Sequence, residues 1–196
     1  MVWNPELKRE IPAGWNVVSL SDILDKNIDP FDFSSVESTI DLSVMPQNSI
    51  ALNEFNNSSN FSTNLYKMKK GDILFGSIRP YLKKAGFAPC DGVVAGTVHS
   101  YRVKEPELFN FALMTLCREN FFNYAVNTSS GTKMPVVGSD SILCYKFAFS
   151  RNVVNQFARL DLLNSISNNI NENQKLMKLR DYLLPLLMNG QATIED

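Results

Sequence analysis

The sequence predicts an α+β chain. Residues 1–150 read as a bent mixed β-sheet or small barrel with short helices, and residues 151–196 as a long helix with a coiled-coil seam. Three observations carry this reading. Between Leu65 and Val103, short apolar runs alternate with Gly and Pro, the punctuation of a strongly bent sheet. Near the C-terminus, Leu163, Ile166 and Ile170, then Met177, Leu184 and Leu187, recur at a 3/4 spacing, beside a second row at Leu176, Leu179, Leu183 and Leu186. A length of 196 residues with 44% hydrophobic content suits one globular domain and an appendage.

Taken in order, Ile11–Gly14 is a turn and Trp15–Leu20 a strand. Ser21 is placed to cap a short helix reaching Lys26. Ile40, Leu42 and Val44 alternate as in a strand. Gln47–Asn64 is polar, rich in Asn and Ser, and reads as a long loop with a short strand near Ile50–Leu52; such a loop is often functional. Lys69–Asp72 and Arg79–Tyr81 are turns between strands at Asp72–Ser77, Lys84–Ala88, Val93–Val94 and Thr97–Val103. Glu105–Val126 reads as one helix with Pro106 in its first turn and an aromatic stripe that belongs to the core. Ser139 would cap a short helix to Leu143, and Tyr145–Phe149 is the last strand. The final helix, from about Asn152, would span roughly 30 residues, or about 45 Å. Asn173 and Arg180 fall in its seam, where polar groups fix register and partner number. Pro185 should kink or end it, and Gly190 suits a C-terminal cap. A surface helix packed wholly on its own domain is the plain alternative to one that seeks a partner.

Charge is segregated on a chain of net charge −1. Ser21–Tyr66 holds seven acids and one base, whereas Lys67–Lys104 holds eight bases and two acids. This suggests a basic face that touches phosphates; alternatively, folding interleaves the two halves. Asn127–Gly138, NTSSGTKMPVVG, is a small-residue loop whose N–H groups and single base, Lys133, suit a phosphate.

Catalytic parts are missing from the pattern. Gly71 and Gly76 have phosphate-loop spacing, but Ser77–Ile78 follow in place of Lys-Ser/Thr. His99 is the only histidine and reads as a structural residue in a strand. Cys90, Cys117 and Cys144 are scattered, which argues for a reducing, cytoplasmic setting and against a zinc site. No apolar run approaches the 18 or so residues of a membrane span. The expectation is a binder with no cofactor of its own.

GWNVVSLSDIL (14–24), KMKKGDILFGSIRPYLKKAGFAP (67–89), SGTKMP (130–135) and NENQKLMKLRDYLLPLLMNGQ (171–191) together resemble the DNA-specificity subunit of type I restriction–modification systems. The resemblance covers nearly the whole chain. It implies a target recognition domain at 1–150 that reads double-stranded DNA, and a conserved spacer helix at 151–196 that packs antiparallel on another such helix. It also implies S-adenosylmethionine-binding methyltransferase subunits and a restriction motor subunit as partners, with no catalysis by this chain. Family members carry two recognition domains and two helices, so this chain resembles half a subunit, pairing with a second copy of itself or another half. DNA contacts are expected from Lys69, Lys70, Arg79, Tyr81, Lys83 and Lys84, and from Ser130, Gly131, Thr132 and Lys133. Helix pairing is expected from Leu163, Ile166, Ile170, Asn173, Leu176, Met177, Leu179, Arg180, Leu183, Leu184 and Leu187. A self-contained DNA methyltransferase, or a structural dimer that binds only protein, are the competing readings. The first lacks an Asn/Asp-Pro-Pro-aromatic element and a cofactor glycine loop.

Overall fold

A computed structural model describes residues 1–62 and 64–191. Residues 192–196 of the C-terminal segment, and Thr63 of the long polar loop, lie outside the described residues. The chain opens with a hairpin of β1 (Val2–Asn4) and β2 (Arg9–Ile11). Strand β3 (Asn16–Ser19) leads into the one-turn helix α1 (Leu20–Ile23) and then β4 (Leu24–Asn27). The cap is Ser19 and not Ser21, because the Asp22 carboxylate accepts the Ser19 N–H at 2.7 Å. That fixes the turn earlier, and the expected helix gives way to strand at Leu24.

The bent sheet is built as two four-stranded ladders. The first has the order β6-β5-β10-β7, from β5 (Ser38–Ile40), β6 (Asn56–Asn57), β7 (Leu65–Met68) and β10 (Gly92–Ala95). The second has the order β4-β11-β8-β9, adding β8 (Ile73–Gly76), β9 (Ala85–Phe87) and β11 (Val98–Val103). All pairs are antiparallel except β5 with β10. The chain crosses between ladders four times, among them at the Lys69–Asp72 turn and at Gly96–Thr97. No strand forms at Ile50–Leu52, where Leu52 is instead buried among Ile40, Met68, Leu74 and Val94 and the Ile50 carbonyl lies close against Gly86.

One buried carboxylate organises the Lys69–Asp72 crossing. Asp72 is 1% exposed and receives two hydrogen bonds from Arg102, at 2.8 and 2.7 Å. It also accepts the Lys69 N–H at 2.8 Å, closing the turn. A bidentate guanidinium–carboxylate pair is directional, so it sets the angle between the turn and β11.

The expected Glu105–Val126 helix is broken in two: α2 (Phe109–Leu116) and α3 (Glu119–Asn127), with Pro106 opening a preceding 3₁₀ turn. Arg118 is extended at the break, and the reset turns Phe121 and Phe122 onto Phe75 at ring separations of 5.3 and 5.7 Å. Helix α4 (Ser139–Leu143) is capped by Gly138 and not Ser139, whose hydroxyl lies 3.0 Å from the buried Tyr101 hydroxyl. Strand β12 (Lys146–Phe149) returns to pair with β3.

The C-terminal segment begins with a short helix, α5 (Arg151–Phe157), and only then the long one, α6 (Leu162–Met188). The interruption has a cause in the core. Buried Asn110 donates its amide to the carbonyls of Phe157 and Leu160, at 2.8 and 2.7 Å, and so terminates α5. Val154 is fully buried and Ile170 is 2% exposed, so the globule extends past residue 150. Helix α6 has 27 residues, about 40 Å at 1.5 Å per residue. It runs through Pro185 and closes at Gly190, whose φ is +66°. Gly190 N–H donates to Leu187 O at 3.2 Å and Gln191 N–H to Leu186 O at 2.8 Å, the paired bonds of a Schellman cap.

Candidate nucleic-acid interface and helix stripe

The Arg79 turn and the Ser130–Lys133 loop, 51 residues apart in sequence at Arg79 and Ser130, meet at one end of β8. Ile78 faces Val136, and Val136 faces Ser130, in single antiparallel bridges. The Arg79 N–H donates to Pro135 O at 2.8 Å, and Val137 N–H to Ser77 O at 2.9 Å. Ser130 and Val136 exchange both backbone bonds, at 2.9 and 2.8 Å. The bridge closes the loop that holds Gly131, Thr132 and Lys133. Gly131 takes φ +95°, which an L side chain rarely adopts, so this turn requires glycine.

Around Arg79 the backbone is held tightly. Arg79 and Lys83 both have φ +52° and flank a 3₁₀ turn at Pro80–Leu82. Left-handed backbone at two non-glycine positions costs about 1–2 kcal/mol each and persists only where the surroundings impose it. Here it directs Arg79 and Tyr81 outward; both are exposed. Neither Arg79 nor Lys133 enters an ion pair among the described residues.

The other expected contacts divide. Lys83 pairs with Glu119 at 2.5 Å, and Lys84 donates to Leu42 O at 2.5 Å. Both heads are therefore tied to the globule. Lys69 and Lys70 lie at the far end of β8, where the Lys70 ammonium donates to Asn164 of α6 at 2.9 Å. Folding also brings part of the basic segment onto the acidic one, with Lys104 3.7 Å from Asp25. The charge pattern alone does not reveal which cations remain free.

The sequence reading did not single out the neighbours of Arg79 and Lys133. Met134 and Val136 are exposed apolar side chains beside them, and Thr97 O accepts both the N–H and the hydroxyl of Ser77, at 3.0 and 2.7 Å. His99 lies behind this face. Its Nε2–H donates to Val137 O at 2.9 Å, the carbonyl being unable to donate, and burial holds its pKa below the usual imidazole value. Cys117 is half-buried and its thiol is pushed up to about 12 by desolvation, which leaves it a weak nucleophile.

Helix α6 uses its apolar stripe in two ways. Leu163 and Ile166 pack against the main core, and Ile170, about one turn further on, is buried. These three were expected to face a partner helix; they face the chain's own globule, since α6 starts against the Lys69–Asp72 turn. Gln174 donates to Asn53 O at 2.9 Å, among the last tethers to the globule. Asn173 beside it is exposed, and beyond it so are Arg180 and the apolar Leu176, Met177, Leu179, Leu183, Leu184 and Leu187, the last six at 37–56%. Among the described residues no helix is long and apolar enough to cross a membrane.

This architecture is that of solved type I restriction–modification chains. A chain from a structure of the type I R-M system, addressing its complex assembly and conformational transition, superposes with a TM-score of 0.60 at 18% identity over 93% of this chain. The HsdS subunit from Thermoanaerobacter tengcongensis superposes with a TM-score of 0.58 at 19% identity over 92% of this chain. This chain spans about half the length of each, 49%. No protein-family model matches the sequence, and no curated protein matches it.

Proposed function

We propose that this chain acts in DNA specificity within a type I restriction–modification complex, reading one half of a bipartite DNA target. It is non-catalytic in this reading and works in the cytoplasm with methyltransferase and restriction subunits. The observation that carries the proposal is the junction of the Arg79 turn with the Ser130–Lys133 loop, which gathers two unpaired cations, hydroxyls and loop N–H groups at one end of the sheets. Arg79 offers bidentate contacts to guanine or phosphate. Lys133 and the Thr132 hydroxyl suit phosphates that set register. Helix α6 supplies the spacer. Its length of about 40 Å is of the order of the ~34 Å between major-groove sites one helical turn apart. The exposed stripe from Leu176 to Leu187 supports pairing with a second copy or another half subunit.

The test is a salt series of DNA retardation by the chain assembled with its methyltransferase subunits. Arg79→Glu and Lys133→Glu should each weaken binding on the order of tenfold and flatten the salt dependence. Affinity equal to wild type across the series overturns the assignment. Methylome sequencing of cells carrying the complex should return a bipartite motif.

A further inference from the structure

We infer that Asn64 reads a base edge and selects adenine. The inference rests on the DNA-reading assignment above and adds the chemistry of one contact to it.

Asn64 closes the long polar loop just before β7, with left-handed backbone at φ +61°. Its carbonyl accepts the Gly96 N–H at 2.7 Å. Its side chain is exposed and its amide enters no hydrogen bond among the described residues. With the carbonyl held by that bond, it is mainly the side-chain rotamer that is left to order on binding.

Asn64 also lies on the same rim as Arg79. Gly96 is bonded to Asn64, the next residue, Thr97, accepts from Ser77, Ser77 accepts from Val137, and Arg79 donates to Pro135. This path of hydrogen bonds has no gap. Two strand spacings of about 4.8 Å and three residue steps of about 3.3 Å put Asn64 within roughly 20 Å of Arg79. That is at most about six base pairs at 3.4 Å each, close enough for one half-site to span both positions.

The surroundings select the ligand. An open cleft of about 450 Å³ beside Asn64 is walled by Phe61 and Tyr66. Its carboxylate, Asp41, is already engaged by Ser43 and by the Asn56 amide at 2.8 Å. Asn64 is therefore the amide there with both donor and acceptor to offer. A carboxamide pairs with the N6 donor and N7 acceptor of adenine in the major groove, a pattern that no other base presents at that edge. Gly96 makes the geometry possible: a Cβ there would stand 3.2 Å from the Asn64 Cβ and 3.3 Å from its carbonyl oxygen.

The experiment is selection from a randomised duplex pool by the assembled complex, followed by sequencing. Wild type should return a motif with adenine at a fixed position. Asn64→Ala should lower the preference for that adenine on the order of tenfold, with the other positions and the salt slope unchanged. Asn64→Asp should move the preference to cytosine, whose N4 amine donates to a carboxylate. In wild type, 7-deazaadenine at that position, which lacks N7 but keeps the N6 amine, should weaken binding by less than Asn64→Ala does, and in Asn64→Ala it should cause no further loss. An Asn64→Ala motif identical to that of wild type overturns this inference while leaving DNA reading intact. Uniform loss at every position, with an unchanged denaturation midpoint, also overturns it, since Asn64 would then serve the rim and not a base. A wild-type complex that enriches no sequence overturns the DNA-reading assignment itself, and this inference with it.

Discussion

The backbone N–H of Arg79 donates to the carbonyl of Pro135 at 2.8 Å, tying the turn after β8 to the loop before α4. Through this bond the Arg79 and Lys133 side chains belong to one surface although their segments are distant in sequence. The lysines next to Arg79 in sequence do not share its role, because Lys83 and Lys84 are held by Glu119 and Leu42 O. Arg79→Ala should therefore weaken DNA binding on the order of tenfold, and Lys84→Ala should change it by less than about twofold. Fluorescence anisotropy at two salt concentrations checks both. Equal effects at the two positions would contradict the division.

Asp72 and Arg102 give a stability prediction. Asp72 is buried, while the guanidinium reaches solvent on one side. Arg102→Ala would leave the carboxylate buried with its strongest partner removed. The expected loss is about 2–3 kcal/mol, below the roughly 3–5 kcal/mol of fully buried pairs because water can reach the vacated side. Denaturant titration measures it. Arg102→Lys should recover only part of the loss, since an ammonium cannot make both bonds in one plane.

Much of the fold was legible in the residues, and the errors share a cause. The long helix and its Gly190 cap follow from local spacing and from glycine's freedom at positive φ. The breaks at Arg118 and at Leu160–Asp161 do not, because they are imposed from elsewhere: by Phe75 beneath α3 and by the Asn110 amide at the end of α5. The candidate site divides the same way. Residue type pointed to Arg79, Tyr81 and the Ser130–Lys133 loop. Only the bridges through Val136 bring them together, and only tertiary contacts reveal that Lys70, Lys83 and Lys84 are occupied.

His99 links the candidate interface to pH. Its Nε2–H supports Val137, the residue after the Val136 bridge, and burial lowers its pKa. Protons then bind the unfolded chain more readily than the folded one, so this contribution to stability is intact above the ordinary imidazole value of about 6.5. It is lost as pH falls from there through the lowered folded value. The denaturation midpoint should drop between pH 7.5 and 5.5, a window above the carboxylates. His99→Gln, which keeps a donor for Val137 O, should flatten that drop. An unchanged pH slope in the variant would exclude His99 as its source.

Helix α6 separates two roles along one stripe, and the two can be tested apart. Ile170 is buried against the globule, whereas Leu179 and Leu183 stand exposed on the stretch beyond Gln174. Sedimentation at tens of micromolar should show the wild-type chain as a dimer. Leu179→Glu with Leu183→Glu should give a monomer with an unchanged denaturation midpoint for the globule, because neither side chain contributes to its core. Ile170→Ala should do the reverse. It should cost about 2–4 kcal/mol of folding stability by opening a cavity, while the dimer persists under native conditions. A wild-type chain that sediments as a strict monomer would refute self-pairing, and a dimer indifferent to both glutamates would place the contact elsewhere than on this stripe.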